Sequence, residues 1–173
     1  MKFKYLISII SILFFLTSCS ASYNELSKME TNKPRNFKEH LLSEYKKRAT
    51  FEAEEMHDWN SAKLYSEKAL KSLETDAIYP EEISYWKLPK ENIKEIRIAY
   101  DNLMTIYNDA KKIDPLNLAK AISSLDCWSE QQEENWQTWD INSCKNDFLN
   151  AMHNIYEKIS TQENEQETSS EKD

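Results

Sequence analysis

The sequence has 173 residues and no glycine. At the usual frequency of roughly 7%, about a dozen would be expected. Their absence removes the residue on which tight hairpin turns, β-bulges and phosphate-cradling loops depend, so the chain reads as helices joined by simple turns. GxGxxG and GxxxxGK phosphate loops are excluded, as is a GxSxG nucleophile elbow. Long basic runs are also missing from a chain of formal net charge −8. Such a surface repels phosphate backbones, and nucleic-acid binding is not expected. No apolar run reaches the roughly 20 residues that a membrane-spanning helix requires.

What is present at the N-terminus is an export signal. Lys2 and Lys4 provide the positive end, and residues 5–16 form a mostly apolar core too short to span a bilayer. Leu16-Thr17-Ser18-Cys19 then matches a bacterial lipobox, in which small residues suit the peptidase and Cys19 takes a diacylglycerol before becoming the new N-terminus. Each buried CH₂ contributes about 0.8 kcal/mol, so several acyl chains anchor stably. The covalent lipid on Cys19 is the only prosthetic group expected. Ser20 stands where an Asp would signal retention at the inner membrane, which favours an outer-membrane location with the domain facing the periplasm. Loss of Lys2 and Lys4 makes the mature chain more acidic still.

Composition divides the chain into four stretches. Residues 1–18 are the signal peptide; 19–35 carry the lipidated Cys and a polar stretch that reads as a flexible spacer. Residues 36–159 are long enough for one core, and 160–173, with no apolar residue, read as a disordered tail.

Within 36–159 the apolar residues recur at helical spacing. The first helix opens on Asn36 with Glu39 three positions on, a capping-box pattern, and its stripe is Phe37, Leu41, Tyr45, Ala49, Ala53 and Met56. Asp58 caps a second, with Ala62, Tyr65, Ala69 and Leu73. A connector from Tyr79 to Leu88 holds one short turn at Pro80-Glu81-Glu82. A third helix carries Ile93, Ile96, Tyr100, Leu103, Tyr107 and Ala110. Asp114-Pro115 starts a fourth through Leu118, Ile122 and Leu125, and Asp140 a fifth through Ile141, Cys144, Phe148, Met152, Ile155 and Ile159. The expected fold is all-α, an antiparallel bundle of about five helices in hairpins. Ala49, Ala62 and Ala69 give it a weak tetratricopeptide flavour, without the further copies a repeat array needs.

Few residues carry candidate chemistry. In an oxidising compartment the two cysteines left after lipidation suggest a Cys127–Cys144 disulfide, with two buried thiols as the alternative. A fourth helix running unbroken to Trp136, with the fifth starting at Asp140, would offset the two by about 7.5 Å, beyond the roughly 6.8 Å a bridge allows. The helix is therefore expected to end or bend within Glu130 to Glu134, leaving Glu130 to Asp140 as an irregular loop. Trp128, Trp136 and Trp139 cluster inside the segment that the Cys127–Cys144 bridge would close and form the candidate partner surface. Glu54-x-x-His57 has di-iron spacing but lacks a second such pair, there is no HExxH, and no metal site is expected. Glutamates on helices are ordinarily a solvated face, so they do not by themselves make a glycosidase pair.

Several strings carry a resemblance. They are Glu44-Tyr45-Lys46-Lys47-Arg48-Ala49, the run Glu52-Ala53-Glu54-Glu55-Met56-His57-Asp58-Trp59-Asn60-Ser61-Ala62, and Pro80-Glu81 with Trp86-Lys87-Leu88-Pro89. The most distinctive is Asp126-Cys127-Trp128-Ser129-Glu130-Gln131-Gln132-Glu133-Glu134-Asn135, followed by Ile141 and Cys144. Together, over roughly residues 40–155, they resemble the N-terminal helical region of OmpA-family envelope proteins of alphaproteobacteria. The resemblance implies an outer-membrane helical domain and supports pairing the two cysteines. In that family a C-terminal OmpA-like domain binds peptidoglycan; the present chain stops where that domain would begin, so no peptidoglycan-binding residue is carried over. The expected function is non-enzymatic: envelope organisation through contact with another envelope protein, an OmpA-like one among the candidates. The alternatives are a tetratricopeptide-like adaptor gripping a peptide near Tyr45 and Tyr65, and a cell-wall hydrolase using helix glutamates.

Overall fold

A computed structural model describes residues 21–75 and 77–170. Among these the chain is all-helical, with six α-helices and no strand: α1 Ala21–Ser27, α2 Phe37–Phe51, α3 Trp59–Glu74, α4 Lys90–Ile113, α5 Pro115–Glu134 and α6 Thr138–Ser170. A π-helical turn, Glu52–Met56, follows α2, and a 3₁₀ turn, Ile83–Tyr85, precedes α4. The described helices divide between two compact units, one comprising residues 21–34 with the described part of 42–78 and the other residues 35–41 with 79–170. Left-handed backbone, usually left to glycine, is taken among the described residues by Lys33, His57 and Asn135.

The first unit holds α1, most of α2, the π turn and α3. Residues 21–35, the described part of the stretch read as a flexible spacer, hold a packed helix. Tyr23 and Leu26, three positions apart, put the two large apolar side chains of α1 on one face, and both are buried. Helix α1 packs along α3, the Tyr23 hydroxyl donates to Glu54 Oε1 at 2.7 Å, and Lys46 donates to the carbonyls of Ser27 and Met29. Asn36 and Glu39 close the capping box at the start of α2, with Glu39 N–H donating to Asn36 Oδ1 at 3.1 Å and Asn36 Nδ2 to Glu39 Oε1 at 2.9 Å. Asp58 caps α3 by accepting from the N–H groups of Asn60 and Ser61. Ala62, Tyr65 and Ala69 are buried as their spacing indicates, whereas Leu73 is 46% exposed and the polar Ser66, Lys68 and Ser72 lie inside instead.

In the second unit α4, α5 and α6 pack against one another, and the first turn of α2 adds Phe37, whose ring meets Tyr107 edge-on at 6.0 Å. The short turn of the connector falls at Ile83–Tyr85, after rather than at Pro80-Glu81-Glu82. It is tied down by Asp126, a buried α5 carboxylate that accepts from the Glu81 N–H at 2.7 Å. From Asn117 to Gln132, only Lys120 in α5 is not buried. The polar groups of this helix are answered locally, as by Ser129 Oγ donating to Leu125 O at 2.8 Å and Ser123 Oγ to Lys120 O at 3.2 Å.

Helix α6 does not stop near Ile159 as its apolar stripe suggests. Its backbone continues through Ser170. The stretch read as a disordered tail is rich in Glu and Gln, good helix formers, so an existing helix extends through it at little cost.

Asp114 is both the last cap of α4 and the first of α5: its N–H donates to Ala110 O, and its carboxylate accepts from Asn117 N, Asn117 Nδ2 at 2.6 Å and Lys158 Nζ at 2.7 Å. Burial acts to raise its pKa, but the Asn117 and Lys158 hydrogen bonds outweigh this and hold it below the ordinary value. A depressed carboxylate adds stability that is complete above the unfolded pKa of roughly 3.9 and is lost as pH falls through the folded one. Thermal melts from about pH 6 down to pH 3 are therefore expected to fall more steeply for the wild type than for Asp114→Asn, which at neutral pH costs about 1 kcal/mol. Parallel acid limbs would contradict this assignment.

Candidate functional site

The hairpin between α5 and α6 carries the residues that the sequence singles out. Helix α5 runs to Glu134, and Asn135, left-handed at φ 53°, closes it by donating its N–H to Gln131 O. Helix α6 begins at Thr138, because Gln137 O accepts from the N–H groups of both Asp140 and Ile141. The irregular segment is thus residues 135–137, not Glu130 to Asp140, and Asp140 lies within the first helical turn, where a carboxylate suits the helix dipole. With the turn centred on Trp136, Cys127 and Cys144 stand almost symmetrically about it. Helix α5 ends at Glu134, within the expected Glu130 to Glu134 range, and the disulfide forms with a Cα–Cα separation of 5.6 Å.

The three tryptophans separate. Trp128 is 2% exposed, its ring 6.0 Å from Phe148 and beneath Lys145 Nζ at 5.1 Å. It belongs to the core and drops out of the partner surface, because it faces inward from the helix that is buried along most of its length. Trp136 and Trp139 are 69% and 60% exposed. Trp136 Nε1 donates to Glu134 Oε2 at 3.2 Å, which restrains the indole without covering it.

The other candidates resolve differently. Glu54 falls in the π turn and His57 is the left-handed residue that ends it, so the α-helical i, i+3 register does not apply; Glu54 accepts from Tyr23, and His57, at φ 56°, has Nδ1 3.4 Å from Ala53 O. Tyr45 and Tyr65 stack at 6.2 Å with neither exposed, and Lys68 lies 5.5 Å over the Tyr45 ring. Both rings fill the core between α2 and α3 and present no face to a peptide. An open depression of about 540 Å³ lies beside Asn117, Asn154 and Lys158, but Lys158 is paired with Asp114 and the two asparagines with each other. Tyr100 donates to Glu82 Oε1 at 2.9 Å, and burial together with that carboxylate pushes its hydroxyl up to about 12, so it acts as a fixed donor. Cys19 lies outside the described residues. None of the described helices is long and apolar enough to cross a membrane.

Sequence reasoning missed Asp126, Lys68 and Trp59, and nothing in a single sequence marks an acid in mid-helix as a tie to a distant N–H. A scan of protein-family models, a search of curated proteins and a search of solved structures each find no match to this chain.

Proposed function

We propose that this chain is a lipid-anchored protein of the outer membrane whose helical domain, on the periplasmic side, serves envelope organisation by binding another envelope protein without catalysis. The observation that carries the reading is the pair Trp136, in the turn, and Trp139, in the first turn of α6, both largely exposed at the end of a hairpin that a disulfide pins about two helical turns from Trp136. Tryptophan is enriched at the energetic centres of interfaces, and a pre-ordered ring loses little entropy on binding. The lipobox supplies the address, and the resemblance over residues 40–155 makes an OmpA-like protein the first partner to look for.

Crosslinking in intact envelopes tests this. Two interface tryptophans worth about 2 kcal/mol or more each imply, where their effects add, a complex weaker by roughly several hundredfold in the Trp136→Ala, Trp139→Ala double variant. Its melting temperature should stay close to the wild type, since exposed substitutions usually cost under about 0.5 kcal/mol. Cys19→Ala should abolish palmitate labelling and release the protein from the membrane. Partners captured undiminished by the tryptophan variant, or label persisting on the Cys19 variant, would refute the corresponding half of the proposal.

A further inference from the structure

Cys19 is two residues from Ala21, the first described residue of α1, so in sequence Ser20 alone lies between the lipidated residue and a packed helix. Two fully extended residues span at most about 7 Å. Helix α1 is held to its unit by buried Leu26, by the Tyr23–Glu54 hydrogen bond and by Lys46, which donates to the carbonyls of Ser27 at the helix end and Met29 just beyond it. Two residues into α1, about 3 Å along its axis, the Tyr23 ring meets Trp59 edge-on at 6.1 Å. Trp59 is the first residue of α3 and is 43% exposed.

We infer that Trp59, propped on Tyr23, rests at the headgroup level of the bilayer, so that the anchor holds the first unit directly on the lipid surface rather than at the end of a tether. This rests on the lipoprotein reading above. The polar interface of a bilayer is roughly 5–7 Å deep on each side, comparable with the reach from Cys19 to α1. Tryptophan is the residue that favours this zone, with an apolar ring and an indole N–H that stays hydrated. The lipid surface it fits is zwitterionic: Glu25, Glu54 and Glu55 are exposed on α1 and the π turn, a set that repels anionic headgroups and suits the ammonium of phosphatidylethanolamine.

The test uses the full lipidated protein, extracted from envelopes and reconstituted into phosphatidylethanolamine-rich vesicles containing a lipid with a nitroxide on its headgroup. Wild-type tryptophan fluorescence should be quenched by the nitroxide, and Trp59→Phe, which keeps an aromatic ring against Tyr23, should remove that component. Inserting a flexible Ser/Asn segment of about ten residues between Ser20 and Ala21 should abolish it too while leaving lipidation and vesicle flotation unchanged. Flotation of the wild type with quenching identical to Trp59→Phe would overturn the inference and leave the lipoprotein reading standing. So would Trp59 fluorescence shielded from an aqueous quencher yet insensitive to the nitroxide, since a protein would then cover it. An unacylated N-terminus by mass spectrometry, with no flotation, would overturn both.

Discussion

Trp128→Ala is expected to lower stability by about 3–5 kcal/mol, the range for removing a buried aromatic ring. In a chain of this size that corresponds to a fall in melting temperature of roughly 10 °C or more. The ring is 2% exposed, its centroid is 6.0 Å from Phe148 on α6, and Lys145 covers its face while reaching Glu95 on α4 at 2.5 Å. Deleting it empties the contact between α5 and α6 and frees the Lys145 stem. Trp128→Phe keeps part of the volume and should cost clearly less, about 1–2 kcal/mol. Partner capture measured below the lowered melting temperature should be unchanged. A Trp128→Ala protein that melts with the wild type, or loses its partner while fully folded, would return this residue to the surface.

The all-α class was legible because several levels of the sequence agree on it: no glycine, apolar spacings of three and four, and caps at Asn36, Asp58 and Asp114 that each bond as their residue type implies. Legibility failed where a polar residue has two meanings. Gln131 to Asn135 offers no apolar stripe and reads as a loop, yet Gln131 and Gln132 are buried in a helix whose surroundings leave it no solvent face. Asp140 reads as a cap, but an acid serves equally well inside the first turn, and here a backbone carbonyl, Gln137 O, takes the bonds. Conversely, Tyr23 and Leu26 are two large apolar residues with little periodicity around them in a mostly polar stretch. Too few to announce a helix, they suffice to bury one once a partner surface exists.

The candidate site shows the same division. The disulfide was legible as a pairing from cysteine count and compartment, and so was the end of α5 by Glu134 that its geometry requires, while the start of α6 was placed at Asp140 instead of Thr138. Trp136 and Trp139 were legible as aromatics in a polar setting. Trp128, eight residues before Trp136, was not separable from them, because proximity in sequence conceals which side of a helix a ring occupies.

Cys144→Ser is expected to destabilise the domain by about 3 kcal/mol, the chain-entropy value for a bridge of sequence separation 17. Both cysteines are buried, at 3% and 0% exposure, so the folded protein should react with no alkylating reagent until it is unfolded and reduced. Labelling of both Cys127 and Cys144 without reductant would rule the bridge out. The loss should not add to that of Trp128→Ala. Cys127 adjoins Trp128, and Phe148 follows Cys144 by one turn, so bridge and ring clamp the same stretch of the α5–α6 hairpin. Neighbouring sites of this kind couple by about 0.5–3 kcal/mol. Once the bridge is gone the hairpin can relax around the space left by the ring, and the double variant Trp128→Ala, Cys144→Ser should be less destabilised than the two single effects combined. Strict additivity in denaturant melts would mean that the bridge restrains only the unfolded chain and contributes nothing to how tightly α5 and α6 pack.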